Sequence, residues 1–128
     1  MRRIFPASRL IRAAVLLICG ALAVALYADA TSHGKEIFDG KCVKCHALDT
    51  DKEGPRLRGV YGRKAASVSS FQYSDSLKAA KFTWDDASLD KWLTDPDAFV
   101  PDNDMAFHLD SASDRKAVIV YLKSLSGK

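Results

Sequence analysis

Apolar and polar positions follow two different regimes along this chain. From Ala13 to Ala28 the residues are almost continuously apolar, behind a start that carries Arg2, Arg3, Arg9 and Arg12. Beyond Ala30, apolar residues recur at helical spacing only in short segments, separated by loop-forming composition. Ser32 can cap a first helix from Gly34 to about Lys41, with Ile37 and Phe38 facing inward. Gly34 costs about 1 kcal/mol against alanine inside a helix. That leaves two readings, a first-turn glycine or a close approach by another helix. Ala47 to Arg63 holds Gly54, Pro55, Gly59 and Gly62 and reads as loop, and Ser67 to Ser70 continues the irregular stretch. Ser74 to Lys81 predicts a short helix with Leu77 inward. Asp85 or Asp86 opens a third helix to Thr94, with Leu89, Trp92 and Leu93 on one side, and Pro96 stops it. Asp95 to Val100 is a short turn, and Pro101 to Phe107 a proline-led loop. Ser111 or Ser113 starts the last helix, where Ser111 with Asp114 resembles a capping box. Ala117, Val118, Tyr121, Leu122 and Leu125 then form one apolar face over about three turns. No strand signal of useful length and no repeat occurs. The class is all-α, with about four to five helices and long loops.

The charged start, the apolar run and the closing Ala28-Asp29-Ala30 read as a cleavable export signal over residues 1–30. The run is a little short for a membrane span, which needs about 20 apolar residues; an uncleaved anchor is the alternative. Arg2-Arg3 is read as an ordinary basic start rather than a twin-arginine signal. Cys19 follows Ile18, not a small residue, so a lipoprotein reading is poor. Removing this segment changes the charge argument. The whole chain is formally +3, but Met1 to Ala30 holds four Arg and one Asp, and residues 31–128 hold 15 basic and 15 acidic residues. The remaining 98 residues make one domain, neutral overall, which gives no argument for nucleic-acid binding.

The candidate chemistry lies in Cys42-Val43-Lys44-Cys45-His46. C-x-x-C-H is the attachment pattern of c-type haem. Two thiols on one turn can each form a thioether, and the following histidine lies under the iron as proximal ligand. A closed zinc site would need a second ligand pair, and a thioredoxin-like dithiol a β-α-β context that is not visible here. Pro55 has a free carbonyl that can accept the second ring N–H of a metal-bound histidine. Met105 is the one methionine after Met1 and sits in a loop, so it is read as a ligand rather than core filler. His108 is read as a surface histidine, with a substitute-ligand role as the sharper alternative, and His33 as a residue near the mature terminus.

Taken together, these residues resemble the class I, mitochondrial-type cytochrome c family, including bacterial cytochromes c2. The resemblance rests on Gly34-x-x-x-Phe38, the C-x-x-C-H, Gly54-Pro55-x-Leu57-x-Gly59-Val60-x-Gly62-Arg63, Phe71-x-Tyr73-Ser74 and Thr83-Trp84. Trp92-Leu93-x-x-Pro96, Val100-Pro101-x-x-x-Met105-x-Phe107 and Tyr121-Leu122-Lys123 complete it. It implies a small cytochrome c fold wrapped round one haem c, covalently bound through Cys42 and Cys45, with His46 and Met105 as axial ligands. Pro55 would hold the His46 ring. Arg63, Tyr73 and Trp84 would meet a haem propionate, while Leu57, Leu93 and Phe107 would wall the crevice. Gly34 would pack against the last helix near Tyr121.

The sequence departs from the family at several points. Trp92 stands where a tyrosine usually bonds the methionine sulfur, and its indole N–H is a donor only. Asn103 replaces a threonine, Leu77 an asparagine near a buried water, and Asp102 and Asp104 a glycine and a lysine. The implied function is a periplasmic one-electron carrier, not an enzyme. Its partners would be redox proteins docking transiently: a membrane cytochrome complex, an oxidase or a periplasmic dehydrogenase. It would be a monomer, with no small-molecule substrate and no nucleic acid. Lys41 and Lys44 flank the cysteines and mark a mildly basic patch for acidic partners. Two other readings stand beside it: a ligand-binding or sensing haem domain with a labile Met105, and a dedicated electron-accepting subunit of one dehydrogenase.

Overall fold

The computed structural model describes residues 7–127, with side chains from Val15 onward. Met1, Arg2 and Arg3 of the expected export signal lie outside the described residues, as does Lys128. Among the described residues five α-helices follow one another: α1 (Ala7–Ile37), α2 (Asp75–Ala79), α3 (Asp86–Thr94), α4 (Pro96–Phe99) and α5 (Ala112–Ser124). A single widened π-turn, Phe38–Cys42, continues α1 into the C-x-x-C-H segment. Among the described residues there is no β-strand, only an isolated antiparallel bridge between Lys64 and Thr83.

Local chemistry sets most of the boundaries. The Ser74 hydroxyl accepts the Leu77 N–H and starts α2. Asp85 and Ser88 close a reciprocal capping box at α3. The Asp95 carboxylate caps α4, whose first residue is Pro96. At α5 the Ser111 hydroxyl accepts the Asp114 N–H, which is half of the expected box.

The first helix differs from expectation. Ser32 is not a cap, because α1 runs through it without a break. No glycine or proline interrupts Ala21 to His33. The Thr31 hydroxyl bonds back to the Tyr27 carbonyl within the helix instead of opening a new one. The apolar run and the first helix of the domain are therefore one rod. By length and composition it is the one helix among the described residues able to cross a membrane. Leu16, Leu17 and Leu26 are more than 70% exposed on it.

The end of α1 crosses α5, α3 packs against α5, and α4 packs against α3. Gly34 permits the crossing: a Cβ there would lie 2.0 Å from the Ala117 carbonyl oxygen and 2.8 Å from Tyr121 Cβ. Of its two readings, close approach is the one observed. One turn on, Phe38 stacks against Tyr121 with ring centroids 5.4 Å apart. Val118, only 1% exposed, anchors the core; full burial of such a side chain contributes roughly 1.5–3 kcal/mol. The core runs on through Leu89, Trp92 and Leu93 of α3 to Tyr73, Leu77 and Trp84.

Candidate haem site

The π-turn delivers the two cysteines to one tight turn. The N–H groups of Cys45 and His46 both donate to the Cys42 carbonyl, at 3.2 and 2.9 Å. The Lys52 ammonium donates to the carbonyls of Val43 and Lys44, so a cation closes this turn. Burial, with a smaller push from Cys45, raises the Cys42 thiol to about 11. The neighbouring Glu53 raises the Cys45 thiol.

His46 is seated on the following loop. Its Nδ1 lies 2.7 Å from the Pro55 carbonyl oxygen, which can only accept. That assigns the ring proton to Nδ1 and leaves the Nε2 lone pair free. Burial lowers the His46 pKa, the Pro55 bond opposes this, and Lys52 adds to the lowering. Gly54 gives the ring its room: a Cβ there would stand 2.2 Å from Cε1 and 2.7 Å from Nε2. The Gly54 N–H donates to the Cys45 carbonyl (2.8 Å), which ties this seat to the attachment turn. The sequence places Gly54 in loop composition and in the Gly54-Pro55 motif of the resemblance, but neither shows the clearance it leaves for the ring.

Met105 sits half-buried at the other end of the core. The Trp92 indole N–H donates directly to its sulfur, at 2.9 Å. The donor-only indole thus makes the bond for which the family commonly uses a hydroxyl. Trp92 in turn stacks edge-on against Trp84, with centroids 5.4 Å apart. Met105 shares the wall of a cavity of about 290 Å³ with Pro96, Asp97 and the exposed His108.

Arg63 and Trp84 are brought together by backbone hydrogen bonds, Trp84 N–H to Arg63 O at 2.9 Å and Gly62 N–H to Trp84 O at 2.7 Å. The Arg63 guanidinium is partly buried and donates to the carbonyls of Arg56 and Arg58. Burial lowers its pKa. Tyr73 is buried, its hydroxyl accepts the Val68 N–H at 3.4 Å, and burial raises its pKa. Leu57 and Phe107 are partly buried against the same core as the buried Leu93.

These donors fit a covalent haem: two thiols on one turn, an imidazole with its outer nitrogen occupied and its inner one free, and a thioether gripped by one donor. The thiols, the glycine seat and the aromatic layer also distinguish the site from a cluster of hard metal ligands. Among the described residues no group of three or more His, Cys, Asp or Glu side chains could hold an ion.

The family model described as cytochrome c matches residues 31–126. A cytochrome c2 iso-2 of Magnetospirillum fulvum is 45% identical over 89 residues, 67% of this chain and 93% of that protein. A cytochrome c of Euglena viridis is 38% identical over 95 residues, 72% of this chain and 93% of that one. Among solved structures, cytochrome cH from Methylobacterium extorquens superposes with a TM-score of 0.70 at 35% identity. That match covers 73% of this chain and 97% of the other.

Proposed function

We propose that this chain, which belongs to the class I cytochrome c family, is a periplasmic one-electron carrier whose iron is held between His46 and Met105. Haem c, attached through Cys42 and Cys45, supplies the Fe(II)/Fe(III) couple. The protein's part is to present two axial donors that do not rearrange. The single observation that carries the reading is that both donors are already held from behind, His46 by Pro55 and Met105 by Trp92. The lowered pKa of His46 keeps its imidazole neutral and ready to donate. A soft thioether favours the reduced state, and burial disfavours the extra positive charge of the oxidised one, so both raise the potential. Arg63, Tyr73 and Trp84 would meet the propionates.

Export is supported by the family match beginning at Thr31 and by the apolar, exposed side chains of α1 before it. Residues 1–30 would be the cleaved signal and 31–128 the monohaem domain. Electrons would pass to acidic redox partners at the attachment turn. There, exposed Lys41, Lys44 and Lys52 surround exposed Val43. Steering by such a patch weakens as salt rises.

The test is a visible spectrum of the exported protein, oxidised, reduced, and reduced under carbon monoxide. A low-spin c-type spectrum unchanged by carbon monoxide is expected. Rapid carbon monoxide uptake would instead make this a ligand-binding haem domain. Trp92→Phe probes the sulfur contact itself. The indole N–H draws density from the sulfur and weakens its support of the oxidised iron. Losing one such bond, about 0.5–1.5 kcal/mol, lowers the potential by roughly 20–60 mV for one electron. Redox titration of both proteins reads this out; an unchanged or higher potential would refute the role given to the bond.

A further inference from the structure

The loop that carries Met105 is pinned by one side chain that makes three hydrogen bonds. Asn103 Nδ2 donates to the Val100 carbonyl at 3.0 Å and to Asp97 Oδ1 at 2.9 Å. Its Oδ1 accepts the Met105 N–H at 2.7 Å. Asp97 lies in α4 and Val100 caps that helix. The carboxamide therefore bolts the backbone of Met105 to α4 across the intervening turn.

The surroundings show that this turn needs bolting. Asp102 has φ +60°, the left-handed region that only glycine, asparagine and aspartate enter readily. Its carbonyl accepts the Ser76 hydroxyl at 2.9 Å. Beyond Met105 the chain is next tied down where the Leu109 N–H donates to the Leu93 carbonyl at 2.7 Å. Pro101 has no N–H to contribute, and Asp104 is exposed. A threonine at position 103 has one O–H and a shorter reach. An aspartate has no N–H at all. Only a carboxamide can donate twice and accept once here.

We propose that Asn103, anchored on Asp97, is the positioning residue that keeps Met105 on the iron, and that this clamp makes the sulfur an inert ligand rather than a displaceable one. The proposal rests on the reading of Met105 as axial ligand. Trp92 fixes the sulfur and Asn103 fixes the backbone beneath it. Neither alone defines the position of a flexible methionine, whose three side-chain torsions otherwise roam.

The experiment uses the holoprotein and three variants. Asn103→Ala removes all three bonds. Asn103→Asp keeps the size and the acceptor but loses both donors. Asp97→Asn keeps an acceptor for Asn103. Carbon monoxide uptake by the ferrous protein is followed by stopped flow, and the far-red sulfur–iron band of the ferric protein is titrated with pH. Uptake is expected to rise about tenfold to hundredfold in Asn103→Ala and Asn103→Asp. Their far-red band should disappear at a lower pH, while Asp97→Asn behaves as the parent. If Asn103→Ala does not assemble, Asn103→Asp and Asp97→Asn carry the comparison. Parental uptake and band titration in a folded Asn103→Asp would overturn the proposal. A parent protein without the far-red band would instead overturn the ligand reading, so the two failures are distinct.

Discussion

Gly54→Ala is expected to yield a chain that attaches haem poorly and melts far below the parent. The new Cβ would fall 2.2 Å from His46 Cε1 and 2.6 Å from Nδ1, on the nitrogen that faces Pro55. The ring cannot yield without breaking its 2.7 Å contact with the Pro55 carbonyl. The loop cannot yield without breaking the Gly54 N–H bond to the Cys45 carbonyl, which holds the attachment turn. Overpacking of this kind costs about 1–3 kcal/mol even where neighbours can move. Loss of an outer hydrogen bond on a metal-bound histidine costs roughly another 10–100-fold in ligand binding. The midpoint of thermal unfolding should drop by roughly 10–20 °C at about 4–8 °C per kcal/mol, with a several-fold lower yield of haem-loaded protein. Gly40→Ala is the control. No atom stands within 4 Å of its added Cβ, and it should match the parent. Equal stability of the two variants would show that the His46 seat is not as tight as described.

Gly34→Ala is the second change with a large effect, and here two terms of opposite sign compete. Alanine gains about 1 kcal/mol of helix propensity over glycine. Against it, the Cβ would stand 2.0 Å from the Ala117 carbonyl oxygen and 2.6 Å from its carbon, both backbone atoms of α5. A backbone inside a regular helix has no rotamer to escape into, so the two helices must separate. Separation strips the Phe38–Tyr121 ring contact and opens the core beside Val118 and Tyr121. A net loss of at least about 3 kcal/mol is expected. Denaturant unfolding should show a lower midpoint with an unchanged slope. Gly40→Ala, whose Cβ meets nothing within 4 Å on the π-turn that continues the same helix, serves as the uncrowded comparison. A Gly34→Ala protein as stable as Gly40→Ala would mean that the helices cross further apart.

Much of this molecule is written in short-range pattern. Ser74, Asp85, Asp95 and Ser111 each cap the helix that follows them, because the accepting side chain and the N–H it meets are only three residues apart. The inward faces of α3 and α5 follow from helical periodicity alone. Ser32 shows the limit of that logic. A serine after an apolar run that reads as an export signal looks like a start, yet α1 runs through it without a break and leaves its cap unused. The attachment motif, the proline carbonyl and the single loop methionine were legible because their chemistry is local or unique in composition.

What the sequence by itself determined is therefore the all-α class, the placement of α2, α3 and α5 and the set of candidate donors, whereas α1 begins far before Ser32 and the stretch read as a turn from Asp95 to Val100 holds the short helix α4. Only the tertiary structure decided how those donors are held. Trp92 and Asn103 read only as departures from the family pattern. In the fold the indole reaches the sulfur directly and the carboxamide fastens the loop. For Gly34 the resemblance already implied contact with the last helix near Tyr121, but neither composition nor periodicity gives the clearance beside Gly54. Hydrogen bonds and clearances of this kind are set to tenths of an ångström between segments distant in the chain. A pattern of residue types constrains which groups can meet, and packing alone selects which of them do.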